Sequence, residues 1–134
     1  MTYENIDSLF INGKRVPSSS GEKRTILHPA NGKPVGEFFE ATSSDTDLAI
    51  ATARAAFDDG HWTSFSGEQR SKILERVADI LERDKELFAE AESRDTAKRI
   101  IESRYDIDDI ISVFRHFATQ AVHSPVSYTH LRAH

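Results

Sequence analysis

Cysteine is absent from all 134 residues. Disulfides, thiolate metal centres and a cysteine nucleophile are therefore excluded within this stretch. No apolar run approaches the roughly 20 residues that a bilayer-spanning helix needs. The opening MTYENIDSLF has neither the basic patch nor the apolar core of a secretory signal. No Asn-x-Ser/Thr acceptor occurs, and there is no internal repeat or low-complexity segment. An excess of positive charge is lacking too: 17 Lys+Arg stand against 22 Asp+Glu, a formal charge of -5. That balance argues against nucleic acid or an anionic membrane as partner. What remains is long enough for one domain with a core, burying roughly two thirds of its unfolded surface. A soluble cytoplasmic protein is the expectation.

The first forty residues carry strand and turn chemistry. In LFINGKRVP, Phe10-Ile11 and Val16 flank Asn12-Gly13, two residues that tolerate the positive φ of a tight hairpin. Pro17 ends that pairing, and SSSGEK is expected to be an exposed loop. Thr25, Ile26 and Leu27 form a β-rich run. Pro29-Ala30-Asn31-Gly32 is a turn with glycine at its left-handed position. Val35 to Phe39 returns as a second strand, giving two ribbons over about 9–40.

From Ser43 the apolar period lengthens, and four helices are expected over about 44–121. In the first, Ser44 is the expected N-cap, with Asp45 and Asp47 near the positive end of the dipole. Leu48, Ala51 and Ala55 share a stripe beside Ile50 and Phe57, and Gly60 is the stop. HWTSF is a linker whose Trp62 is a packing anchor rather than a ligand-stacking ring. Ser66 and Gln69 form a capping box, followed by Ile73, Leu74, Val77, Ile80 and Leu81 at helical spacing. Asp84 is the expected cap of a third helix bearing Leu87, Phe88 and Ala91. The last helix carries Ile107, Ile110, Ile111, Phe114, Phe117, Ala118 and Ala121 on one stripe, which reads as core. Asp106, Asp108 and Asp109 read as charge at its start rather than as cation ligands, and Arg115 and the surface His116 sit toward its end.

Several of these strings have a familiar order. LFINGKRVPSSSG, HPANGKPVGEF, SSDTDLAIATARAAFDDG, the HWTSFSGEQR linker, LERVADILERD and AESRDTAKRI follow one another as do INGEWV, NPATGE, DVDRAVAAARAAF, a W…S…ER linker, LADLLE and ESLDTGKP. The chain thus resembles the amino-terminal part of the NAD(P)-dependent aldehyde dehydrogenase superfamily, over about Leu9 to Ala121. The resemblance implies an α/β fold, here the first part of a cofactor-binding domain over residues 1–124, mainly four helices preceded by short β-hairpins. It implies oxidation of an aldehyde to a carboxylic acid with NAD or NADP, in a homo-oligomer when full length. That chemistry uses a thiolate attacking the aldehyde, an oxyanion hole, hydride transfer and a glutamate that activates water. In the family all of these lie beyond the matched stretch, and no glycine pair of the dinucleotide type follows a strand here. No catalytic or cofactor-binding residue is therefore assigned, and the 134 residues alone are expected to bind no cofactor and to be inactive.

Three departures stand out. His28 replaces the Asn before Pro, Ala97 replaces Gly of DTGKP, and Arg99 replaces its Pro. Losing both breakers favours a helix continuing from Asp95 to Ile101. In some family members the aligned Asp and the carbonyls before the Asn-Pro turn line a monovalent-cation site; here these are Ile26, Leu27 and Asp95. The end of the chain, VSYTHLRAH, resembles one reading frame of a transposon-end sequencing adapter, so residues 125–134 are expected to be a non-biological tail. His123, His130 and His134 match no firm metal spacing. The rival from another class is a free-standing helical binding or adaptor module without enzymatic activity, which would need a closed apolar surface.

Overall fold

The computed structural model describes residues 5, 6 and 8–123; the adapter-like stretch lies outside them. Among the described residues, strands β1 (Asn5–Ile6), β2 (Leu9–Ile11), β3 (Lys14–Val16), β4 (Lys23–Leu27) and β5 (Pro34–Phe39) come first. Helices α1 (Ser43–Asp58), α2 (His61–Ser64), α3 (Gly67–Arg83), α4 (Lys85–Thr96) and α5 (Ile100–Val122) follow. Both ribbons and the four long helices are those expected; α2 is one helical turn where a linker was expected.

In the β2–β3 hairpin Ile11 faces Lys14 across a two-residue loop. Asn12 and Gly13 have φ of 55° and 70°, the left-handed conformation that a type I′ turn requires at both positions. β4 and β5 pair antiparallel, with an irregularity between Ile26 and Leu27. Their turn closes on His28. Its N–H donates to the Lys33 carbonyl (2.8 Å), and its own carbonyl accepts from the Gly32 N–H (2.8 Å). Its Nδ1 accepts from the Ala30 N–H at 3.2 Å. An Asn side chain does the same in an Asx turn, so the imidazole, with its proton on Nε2, serves in its place. On the other edge of β5 lies β1, parallel, with Asn5 beside Glu37; the sequence reading lacked this strand.

The core lies where α3, α4 and α5 meet. Ala78, Ala89, Ile107 and Ile111 are buried, and Leu81, Phe88, Ile100 and Phe114 pack on them. Small side chains at Ala78 and Ala89 let the helices approach. The closest approach is at Gly67, the first residue of α3. A β-carbon there would lie 2.3 Å from the Ala121 carbonyl oxygen near the end of α5, a separation that only glycine allows. In contrast, α1 packs chiefly on α2 and β2 and leaves Leu48, Ile50 and Phe57 exposed.

Three local expectations are corrected. Thr42, not Ser44, caps α1: its side chain accepts from the Asp45 N–H, and the Asp45 carboxylate accepts from the Thr42 N–H. The SSSG loop is exposed, as expected, and it is also pinned. Ser18 donates to the Glu40 carbonyl at 2.5 Å, and Ser19 donates to Asp45 from both its N–H and its hydroxyl. Asp84 holds the N-cap position of α4, as expected, but its side chain makes no cap bond, because its carboxylate is held by Arg83 at 2.6 Å. Finally, the helix does not run on to Ile101: α4 ends at Thr96. Ala97 adopts the left-handed conformation (φ 58°) and Arg99 is extended. A left-handed alanine costs about 1–2 kcal/mol. Bonds around it offset that cost: Ser93 donates to the Lys98 carbonyl (2.7 Å), the Lys98 N–H to Thr96 (3.2 Å), and the Lys98 ammonium to Glu92 (2.7 Å) and to Asp106.

Candidate functional site

The residues that the resemblance singles out lie at one end of the β4–β5 ribbon and at the end of α4. Ile26 is half-buried and Leu27 exposed on β4, and Asp95 is exposed in the last turn of α4. Leu27 faces Pro34, which has no N–H to donate. A cavity of about 630 Å³ opens beside them, lined by Thr25, His28, Pro34, Val35, Gly36, Glu37 and Arg94. The two elements are thus brought around one space. Its lining comes from the neighbours of Ile26, Leu27 and Asp95 rather than from those residues themselves.

Charged side chains elsewhere organise the helices. Lys98 binds Asp106 and Glu92; the Asp106 hydrogen bond, then that of Glu92, raises the lysine above its ordinary range. Reciprocally, the Lys98 ammonium holds Asp106 below the usual carboxylate value. Asp106 and Asp108 are therefore structural: Asp108 meets Lys85 at 2.7 Å, and both lie beyond the first turn of α5, not at its start. Arg115 reaches Glu75 (3.2 Å), Asp79 (3.4 Å) and Glu82 (2.7 Å) of α3, so it serves packing rather than the helix dipole. An acidic row at i, i+4, i+7 on α3 was visible in sequence; its cation was not. His116 is exposed, with its ring edge-on to Phe117 at 5.4 Å. Trp62 is half-exposed, meeting Phe65 edge-on at 5.8 Å under the Arg70 guanidinium, a local anchor at a helix junction. Among the described residues no group of three or more His, Asp or Glu side chains is gathered as for a metal ion. His130 and His134 lie outside those residues.

Among the described residues Asp45 is the buried carboxylate. Its Oδ2 accepts from the Thr42 N–H (2.9 Å) and hydroxyl (3.0 Å) and from the Ser19 N–H (3.2 Å) and hydroxyl (3.0 Å). The Thr42 backbone bond leads in holding it below the usual range. This arrangement bears on cofactor binding. A dinucleotide pyrophosphate sits at a strand-to-helix turn rich in glycine, on free helix N–H groups. Here the β5–α1 junction reads Glu40-Ala41-Thr42. Its helix end is closed by the capping box and carries a carboxylate that would repel phosphate. The residues at this junction do not fit a dinucleotide.

Comparison with known proteins settles the lineage. The model of the family described as "Aldehyde dehydrogenase family" matches residues 16–131. The chain belongs to the aldehyde dehydrogenase family. It is 41% identical over 111 residues to "Betaine aldehyde dehydrogenase" of Bacillus subtilis (strain 168), covering 83% of this chain and 23% of that protein. It is 35% identical over 112 residues to "Retinal dehydrogenase 2" of Homo sapiens, covering 82% and 22%. The crystal structure of betaine aldehyde dehydrogenase from Staphylococcus aureus in complex with NAD+ superposes with a TM-score of 0.84 at 35% identity, covering 88% of this chain and 24% of that one. The chain spans about a quarter of these aldehyde dehydrogenases and corresponds to an amino-terminal fragment of the family fold. No helix among the described residues is long and apolar enough to cross a membrane.

Proposed function

We propose that the chain is the amino-terminal segment of an NAD(P)-dependent enzyme that oxidises an aldehyde to a carboxylic acid. The observation that carries this is the family match over residues 16–131. The chain forms the first part of the cofactor-binding domain and supplies scaffold rather than reacting groups. It has no cysteine to attack a carbonyl, and its strand-to-helix junction rejects a pyrophosphate, so it is inactive by itself. NAD or NADP, when bound to the whole enzyme, accepts the hydride. The names of the relatives cover betaine aldehyde and retinal, so the proposal stops at the aldehyde. The whole enzyme is a cytoplasmic homo-oligomer. The carbonyls of Ile26 and Leu27 with Asp95 hold a monovalent cation there, completed by oxygens from outside this chain. The adaptor reading loses ground because large apolar side chains stand open on α1 and α5, where a free-standing module needs them closed.

The test is a matched pair. The full-length gene product should reduce NAD or NADP with an aldehyde, and the purified 134-residue chain should not. Turnover by the short chain that survives removal of host enzymes sinks its inactivity. A full-length product inert toward aldehydes with both cofactors sinks the enzyme assignment. Potassium-dependent thermal stabilisation of the whole enzyme, lost in Asp95→Asn, tests the cation site.

A further inference from the structure

Two departures from the family strings meet in one place. His28 stands where those strings have asparagine, and Arg94 stands where ESLDTGKP has leucine. Both line the cavity between the β4–β5 ribbon and the end of α4. Among the described residues Arg94 has no ion pair, whereas Lys85, Lys98, Arg104 and Arg115 of α4, α5 and the turn between them each have one. The His28 Nδ1 is taken up by the Ala30 N–H. Its Nε2–H is left as a donor with no acceptor among the described residues. Glu37 is the acid in the lining, and Lys23 meets it at 3.5 Å, so the uncompensated charge is that of Arg94. Thr25 adds a hydroxyl, and Pro34 and Val35 supply an apolar wall. At about 630 Å³ the cavity lies within the roughly 300–1,000 Å³ of small-molecule sites.

A guanidinium presents a planar fork of N–H donors that matches the two oxygens of a carboxylate. Phosphate fits less well, because a dianion is repelled by Glu37 and gains nothing from the apolar wall. We infer that the cavity is a binding site for a small organic monocarboxylate, with its anion on Arg94 and His28 and its hydrocarbon body on Pro34 and Val35. The site uses none of the groups that aldehyde oxidation needs, so it stands or falls apart from that assignment. The probe is benzoate, added as its sodium salt to the full-length gene product. Phenylglyoxal modifies accessible arginine, and its attack on Arg94 is read by peptide mass, so benzoate bound elsewhere on the enzyme does not register. Saturating benzoate should slow the modification of Arg94 at least fivefold. The neutral isostere benzamide and inorganic phosphate should each leave the rate within twofold. His28→Asn keeps an acceptor for the Ala30 N–H and draws the outer donor back from the cavity. It should raise the half-protecting benzoate concentration at least threefold. A rate that benzoate does not alter, equal protection by benzamide or phosphate, or unchanged half-protection in His28→Asn would each overturn the inference. So would an Arg94 that is unreactive before benzoate is added, since the rest of the polypeptide would then fill the cavity.

Discussion

Single residues set the conformations that the chain's period alone does not. Ala97 sits at φ 58°, where glycine has no steric cost. Ala97→Gly should therefore stabilise the chain by about 1 kcal/mol, seen as a higher urea midpoint at unchanged slope. Asp45 makes its contribution through pH. Its hydrogen bonds from Thr42 and Ser19 lower its folded-state value, so the folded state binds fewer protons than the unfolded chain. The associated stability is complete above the ordinary carboxylate range and is lost as pH falls through the folded value. Asp45→Asn should be less stable near neutrality and lose less on going from about pH 6 to about pH 3. Its slope should be shallower without being flat, because Glu40, Asp84, Glu102 and Asp106 are lowered as well. Urea midpoints at a series of pH values give both comparisons.

At the scale of elements, what was legible in the sequence was local. The Asn12-Gly13 hairpin, the Ser66–Gln69 box and the helical spacing of α3 and α5 each depend on residues within a turn of one another. The cap at Thr42 was missed by two positions because Ser, Thr and Asp crowd that stretch, and only the Ser19 contact selects among them. The break at Ala97 was missed because part of its support comes from Asp106, eight residues beyond Lys98. The flank of α5 that closes was also invisible: Ile110 and Ile111 fit one stripe equally well, yet 41% of one and 7% of the other is exposed. At the candidate site, Ile26, Leu27 and Asp95 came from resemblance, whereas the approach of Arg94 to the ribbon is a tertiary fact with no sequence signal. Gly67 is the clearest omission. Gly67→Ala places a methyl group against the Ala121 carbonyl and should cost about 1–3 kcal/mol, read as a lower denaturant midpoint.

The whole molecule is a folded helical centre with open apolar edges. Ile111→Asp places a charge in the core and should abolish cooperative thermal unfolding. Phe117→Asp, one helix face away, should leave the transition in place and reduce self-association in sedimentation at micromolar concentration, since exposed apolar surface drives such contacts. A reversed outcome would mean that the two flanks of α5 are exchanged. The Gly67–Ala121 contact has a consequence for chain length. One residue inserted into α5 turns everything after it by about 100° and advances it by about 1.5 Å. Placed between Ile107 and Arg115, such an insertion would take the apolar row, the Arg115 ion pairs and the approach to Gly67 out of phase together. The turn at Ser20-Gly21 has no such constraint beyond its short side-chain bonds. Natural relatives should accordingly vary in length at that loop while α5 keeps its residue count, and a single-alanine insertion scan should divide the chain along the same line.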